Sequence, residues 1–342
     1  MTDQGPVVSD TPGLDLGVFA EFFGGVCPGA MSGPLTASVI AGGRSNLTYL
    51  VTDGSTSWVV RRPPLGHVLA TAHDMGREFK ILSALKDTDV PVARPLAMCT
   101  DESILGAPFY VMQYVEGTTY RWAPQLEAVG PARTASISHH FTEKLAVLHA
   151  LDPVSVGLGD LGRPDGYVER QIRRWGKQFE SSKSRELAGI YELMEMLEAN
   201  LPPAQAPAIV HGDYRIDNVI INADDEVAAI VDWEMSTLGD PLADLGLLLV
   251  YNRLATISSA LGDASTAPGY LTEAEGIASY AAVTSRDLSH LPFYIALGSF
   301  KLAVILEGIH FRYTQGQTVG KGFDLIGDVV APVIQSGIAE LA

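Results

Sequence analysis

Near residue 115 the apolar residues of this chain change their period, and that change dictates a protein of two unlike parts. Before it, short runs of β-branched and aromatic residues are separated by turns. "LTYLVT" (47–52) and "SWVVRR" (57–62) read as strands on either side of Asp53-Gly54, a dipeptide favoured in hairpin turns. "APFYVMQYVEG" reads as a further strand that stops at Gly117. One segment differs: in "AHDMGREFKILSALK", Met75, Phe79, Leu82 and Leu85 recur at three- and four-residue spacing, an amphipathic helix with Asp74 as its cap. After the change, long helical patterns such as "SHHFTEKLAVLHALD" and "GYVERQIRRWGKQFE" dominate. The expectation is an α+β chain with a tail over 1–13, a small antiparallel β-sheet with one helix over 14–113, and a mostly helical part over 114–342.

Composition sets the outer bounds. A chain of 342 residues, 47% hydrophobic and 18% charged, has enough material for a sizeable core and is neither disordered nor fibrous. A net charge of −17 opposes a nucleic-acid partner, whose phosphates call for a basic face, and is compatible with a cationic substrate or simply an acidic surface. No apolar run approaches the ~20 residues that span a bilayer. The first residues lack the basic flank and apolar stretch of a secretory leader, so no membrane partner is expected. Cys27 and Cys99 stand apart without metal spacing, which predicts a reducing, cytoplasmic setting.

Chemistry concentrates in "VHGDYRIDNVIINADDEVAAIVDWE", residues 210–234. "AIV" (208–210) reads as a short strand leading into His211-Gly212-Asp213, and "NVIIN" and "EVAAIVDW" read as hairpin strands turned at Ala223-Asp224-Asp225. Pairing outward from that turn sets Asn218 roughly opposite Val231 and Asp232, with Asp213 on the loop feeding the same end. Asp and Asn are common turn residues. Turn chemistry explains one of these three, but not three at one hairpin end. Hard oxygen donors gathered in this way are what Mg²⁺ uses, with phosphate oxygens and water completing its shell.

These residues resemble a known family. "HGDYRIDN" followed by "VDWE" is similar to the catalytic and metal-binding motifs of the aminoglycoside phosphotransferase and choline kinase group, relatives of the protein kinases. "RRPPLG", "AHDMGREFKILSAL", "LHALDPVSVGL" and "DWEMSTLGDPLADLG" resemble the branch that includes the kinase-like domain joined to some acyl-CoA dehydrogenases. The resemblance implies a two-lobed protein-kinase-like fold and transfer of the ATP γ-phosphoryl group to a small-molecule hydroxyl. It implies Asp213 as the catalytic carboxylate that accepts or aligns the attacking proton, and Asn218 and Asp232 as Mg²⁺ ligands. His211 is expected to support the loop by hydrogen bonds, since that mechanism already has its base, and Asp217 to be a surface acid.

The same resemblance places a phosphate-binding cation at the end of "SWVVRRPP", where protein kinases carry a lysine; here stand Arg61 and Arg62. Alternation puts Val59 and Arg61 on one face of the strand, so Val59 under the adenine and Arg61 on the phosphates is the consistent pairing, with the choice between the two arginines left open. Arginine binds phosphate bidentately, so the replacement is compatible with activity. Glu78 matches the acid that pairs with this cation. "GGRSN" resembles the phosphate loop, giving Gly43, Ser45 and Asn46. Met112, Gln113 and Val115 stand where such folds hold the nucleotide base. ATP is the nucleotide the family implies, with GTP left open.

Asp240 and Asp244 read as structural, Asp240 as a helix cap and Asp244 as a buttress under the catalytic loop, and His139, His140 and His149 as core or surface histidines. Arg170, Arg173, Arg174 and Lys177 line one helix, the first place to seek a subsite if the acceptor carries phosphates as coenzyme A does. The branch resemblance implies a hydroxyacyl-CoA-like acceptor, and the group name an aminoglycoside. The alternative is a module that binds nucleotide or acyl-CoA without turnover, which the missing lysine favours. Oligomeric state is not legible.

Overall fold

The computed structural model describes residues 11–40, 46–65, 74–317 and 323–342. The chain forms two compact units, Met1–Glu116 with Ala228–Glu234, and Gly117–Val227 with Met235–Ala342.

The first unit opens with α1 (Leu16–Val26), capped by Asp15, whose carboxylate accepts the N–H groups of Gly17 and Val18. Then follow β1 (Thr36–Val39), β2 (Leu47–Thr52), β3 (Ser57–Arg62), α2 (Met75–Leu85), β4 (Pro95–Cys99), α3 (Glu102–Leu105) and β5 (Phe109–Gln113). The five strands form an antiparallel sheet in the order β1-β2-β3-β5-β4. Strand alternation gives it two chemically different faces. Tyr49, Val51, Trp58, Val60, Phe109 and Val111 join Phe19 and Phe23 of α1 in one apolar cluster. Val59, Arg61, Tyr110 and Met112 occupy the other face, where register pairs Arg61 with Tyr110 and Val59 with Met112.

The β2–β3 connection has the bounds read from the sequence, but its turn is not the two-residue kind in which an Asp-Gly dipeptide is most familiar. Such a turn needs positive φ at both central residues. Here Gly54 has φ +90 but Asp53 does not, and Thr52 pairs with Ser57 across a four-residue loop. Asp53 instead accepts the N–H groups of Ser55 and Thr56, an Asx-type closure that does the work of a backbone turn.

The second unit contains α4 (Ala123–Val129), α5 (Pro131–Ala150), α6 (Tyr167–Ser182), α7 (Ile190–Ala199), β6 (Ala208–Val210) and β7 (Val219–Ile221). The chain then turns at 222–226, where Asn222 donates its N–H to the Glu226 carbonyl at 2.9 Å. Strand β8 (Val227–Ile230) carries it into the first unit. After Glu234 come β9 (Thr237–Gly239), α8 (Leu242–Ile257), α9 (Glu273–Val283), α10 (Leu291–Thr314) and α11 (Ile326–Ala339). β6 pairs antiparallel with β9, not with the hairpin. Helices α8 and α10 approach backbone to backbone: a Cβ on Gly246 would lie 2.4 Å from the Tyr294 carbonyl oxygen, and one on Gly298 would lie 3.0 Å from Leu247 Cα.

One expectation changes with α10. At 24 residues it is long and apolar enough to cross a bilayer, although its interior Lys301 and Glu307 keep the apolar run short in sequence. Its most apolar stretch is 78% buried within the protein, as in the core helix of a folded domain.

Candidate active site

In the second unit, β6 delivers the chain into His211-Gly212-Asp213. Gly212 has φ +86, and a Cβ there would meet the Met235 carbonyl oxygen at 2.7 Å, so only glycine fits this bend. The bend is tied down from beneath by Asp244, the first-turn acid of α8. Its carboxylate accepts the His211 N–H at 2.6 Å and the Gly212 N–H at 2.8 Å. His149 Nε2 lies 3.3 Å from the same carboxylate, and His149 Nδ1 lies 2.8 Å from the Tyr280 hydroxyl. A neutral imidazole protonated on Nε2 satisfies both neighbours, donating to Asp244 and accepting from Tyr280. Burial lowers the pKa of His149, which favours that neutral form. Burial alone would raise Asp244, but hydrogen bonds from His149 and from the Gly212 backbone outweigh it and hold the carboxyl below its ordinary value. Asp244 is thus the expected buttress, and His149 is a core histidine with a defined task.

Asp213 and Asn218 are brought together. Asn218 ends a single 3-10 turn (Ile216–Asn218), and its side-chain amide donates to the Asp213 carboxylate at 3.2 Å and to the Asp213 carbonyl at 2.9 Å. The Tyr251 hydroxyl donates to the other carboxylate oxygen of Asp213 at 2.9 Å. His211 is fully buried, with Nδ1 3.3 Å from the Asp213 N–H, a supporting place and not a proton-transfer one. Asp217 is a partly buried partner of Arg215, bonded through two guanidinium nitrogens, where sequence suggested a surface acid.

In the first unit, Arg61 is the centre. Its Nε lies 3.0 Å from Glu78, its Nη2 2.5 Å from Asp232 and 4.0 Å from Glu234. Glu78 also accepts from the Tyr110 hydroxyl at 2.9 Å. Burial raises its pKa to about 7, only partly opposed by Arg61 and the Tyr110 hydrogen bond. Burial works against the Arg61 charge as well, but Glu78, Tyr110 and Asp232 outweigh it, so the guanidinium stays protonated. Arg62 points to the opposite face and donates to the carbonyls of Gly13 and Leu105. The choice left open by the sequence therefore falls on Arg61 as the cation among carboxylates, while Arg62 is structural.

Asp232 holds φ +65, one of two non-glycine residues with positive φ among the described residues. That conformation costs about 1–2 kcal/mol and persists where the surroundings impose it. Here the flanks are pinned, by Ile230 N–H on the Pro91 carbonyl at 2.8 Å and Trp233 Nε1 on the Ile230 carbonyl at 3.0 Å.

Other expected nucleotide-side residues take different places. Gly43 and Ser45 lie outside the described residues. Asn46 is buried, its amide donating to Glu78 at 3.3 Å and Glu234 at 3.2 Å, so it holds carboxylates together, a role that a phosphate-loop reading does not contain. Val59 is buried on the Arg61 face and Met112 is its register partner, half-buried. The Gln113 N–H donates to the Arg94 carbonyl at 2.8 Å, and Val115 follows, half-buried. Sequence reasoning assigned no role to Tyr110 and Tyr251, which carry no motif signal, nor to Glu234, although it ends the VDWE run.

A five-stranded antiparallel sheet with a buried Arg–Glu pair, followed by a helical unit bearing a glycine-bent Asp–Asn loop, is the architecture of protein-kinase-like phosphotransferases. Residues 36–282 match the model of the phosphotransferase enzyme family, and the chain belongs to that family. It is 32% identical to a candidate aminoglycoside phosphotransferase from Ralstonia eutropha JMP134, whose crystal structure it matches with a TM-score of 0.84 over 96% of this chain and 98% of that one. Acyl-CoA dehydrogenase family member 11 of Gallus gallus is 34% identical over 321 residues, 91% of this chain and 41% of that protein. The chain thus spans about two-fifths of the length of that relative. A ternary complex of aminoglycoside phosphotransferase APH(4)-Ia with AMP-PNP and hygromycin B shares the fold, with a TM-score of 0.61 at 12% identity over 94% of this chain and 98% of that one.

Proposed function

We propose that this phosphotransferase moves the γ-phosphoryl group of ATP, with Mg²⁺, to a hydroxyl of a small molecule. The observation that carries the reading is the Asp213–Asn218 pair on a loop whose backbone is fixed by Asp244. Phosphoryl transfer asks a protein for positioning and charge compensation more than for covalent chemistry. Asp213, held by Tyr251 and Asn218, aligns the acceptor hydroxyl and receives its proton as the new O–P bond forms. The bond from the γ-phosphorus to the bridging oxygen breaks, and ADP leaves with that electron pair. Arg61 offers its guanidinium to the phosphates.

Asn218 and Asp232 would hold the metal. Their chemistry fits: the Asn218 amide nitrogen is spent on Asp213, which turns its carbonyl oxygen to the role of donor, and Asp232 keeps a partly exposed carboxylate. Mg²⁺ relies on few protein donors, with phosphate oxygens and water completing its shell. Bound there, Mg²⁺ supplies neutralisation of the triphosphate charge. The adenine nucleotide is supported by the AMP-PNP complex of a fold neighbour.

For the acceptor, a hydroxyacyl-CoA-like compound is favoured over an aminoglycoside. Arg173, Arg174 and Lys177 are exposed on α6 at helical spacing, and like charges three and four residues apart repel unless an anion compensates. Arg173 and Lys177, together with Glu180 and Glu198, border a groove of about 520 Å³ that Phe179, Ile190, Tyr191 and Met194 make apolar, a shape for a phosphate-bearing head with an acyl arm. Relationship to a protein named for acyl-CoA dehydrogenation agrees. A second reading, a binding module without turnover, draws on Arg61 being engaged by two carboxylates where kinases carry lysine.

The deciding experiment measures ADP release over a panel of hydroxyacyl-CoAs, aminoglycosides and amino alcohols. Asp213→Ala is expected to lower kcat by roughly 10²–10⁴-fold, and Asp232→Ala to reduce it strongly. Turnover that survives both changes overturns the assignment. Stabilisation by Mg·ATP without turnover on any acceptor supports the binding module.

A further inference from the structure

Asp213 is reached through one peptide unit, the link from Gly212, and both polar atoms of that unit are gripped by side chains. Its N–H meets Nδ1 of His211 at 3.3 Å. Its carbonyl, the Gly212 oxygen, accepts from Nζ of Lys301 at 2.5 Å. A glycine at φ +86 has no side chain to restrict the rotation of the next peptide plane, so the plane that aims Asp213 depends on these two bonds.

Lys301, half-buried, comes from the middle of α10, a helix whose buried residues are nearly all apolar. Its ammonium stands 5.4 Å from the Trp175 ring centroid, within cation–π range. Burial pushes it below the ordinary lysine value, with Asp213 and Asp244 pulling the other way. Arg215, the loop's own cation, is committed elsewhere, to Asp217 and the Leu261 carbonyl. A charged group kept at such a cost under the loop calls for a role there.

We propose that Lys301 is a positioning residue for phosphoryl transfer, locking the Gly212–Asp213 peptide so that the Asp213 carboxylate meets the acceptor in one orientation. The kinetic part of this rests on the phosphotransfer reading above; the structural part does not.

The test uses the full chain with Lys301→Met, which removes the donor, and Lys301→Arg, which keeps a charged one. Two measurements are made: steady-state ADP formation and hydrogen exchange of the 211–214 amides. Lys301→Met is expected to lower kcat by about tenfold to a hundredfold, as loss of a charged hydrogen bond and a loosened reacting geometry require. KM for nucleotide and acceptor should stay within about twofold, since neither is a Lys301 contact in this scheme. Exchange at 212–214 should quicken, and Lys301→Arg should restore most of both. Unchanged kcat and exchange in the Met variant overturn the proposal. So does a rise in acceptor KM at constant kcat, which makes Lys301 a substrate contact. Should the Met variant not fold, Lys301→Gln, which keeps an N–H without the charge, carries the same comparison. If the wild type turns over no acceptor, the phosphotransfer reading falls while the exchange result still decides the clamp.

Discussion

The two units hold their functional carboxylates in opposite ways. Around Asp213 the loop is fixed through its backbone, Asp244 taking two amides, Lys301 a carbonyl and Asn218 another carbonyl, while Asn218 and Tyr251 each donate to the carboxylate itself. Around Asp232 the restraints run from side chain to side chain, through Arg61, Glu78, Glu234, Asn46 and Tyr110. Backbone anchoring fixes a geometry and leaves little to rearrange. A cluster of long side chains with three carboxylates on one guanidinium can exchange partners when a polyanion arrives. The lesson is that the first unit carries an adaptable cation and the second a carboxylate on a fixed backbone.

Removing Asp244 should be the most damaging break. Asp244→Ala strips two buried amides and His149 of their acceptor, and about 4–5 kcal/mol of unfolding free energy is expected to go. Denaturant unfolding checks this; a loss under about 1 kcal/mol would show that the loop does not depend on its buttress. In the adaptable cluster, Arg61→Met leaves Glu78 buried without its cation and should cost about 3–4 kcal/mol, with Arg61→Lys recovering part. If both variants are equally stable, the pairing with Glu78 is not what holds Arg61 in place.

A smaller effect sharpens the contrast through pH. Glu78 has its folded pKa raised from 4.5 to about 7, chiefly by burial. The folded state therefore binds the proton more tightly than the unfolded one, so this contribution is whole below about pH 4.5 and is lost as pH climbs through about 7, of order 2–3 kcal/mol. Comparing the stability of the wild type and Glu78→Gln from pH 4.5 to 7.5 isolates it. The wild type should lose ground relative to the variant as pH rises, and parallel curves would remove burial as the dominant influence on Glu78.

Much of this was written locally. Strands β2 and β3 and helix α2 with its Asp74 cap follow from alternation, helical spacing and one capping residue. The Asp213–Asn218 pair follows from five-residue spacing on a tight loop. Helix α1 was missed because Gly17, Gly24 and Gly25 argue against helix, although Phe19 and Phe23 share a face behind Asp15. β4 was missed because it begins at a proline. Arg61 and Arg62 are indistinguishable as letters; only the sheet's two faces, one against α1 and one bearing Glu78, separate them. Lys301 lies 89 positions beyond Gly212, and nothing local announces a contact of that span.

The glycine contact between α8 and α10 has a consequence for how this protein tolerates change. A methyl group at Gly246 would sit 2.4 Å from the Tyr294 oxygen, and ordinary carbon–oxygen spacing returns only if the helices separate by about 1 Å. Asp244 rides on one helix and Lys301 on the other. Prising the two apart would slacken both grips on the loop at once, and misplacement of that size is worth about a hundredfold in rate. A single added carbon between two helices would slow the chemistry about a hundredfold while "HGDYRIDN" and "VDWE" remained intact in the sequence.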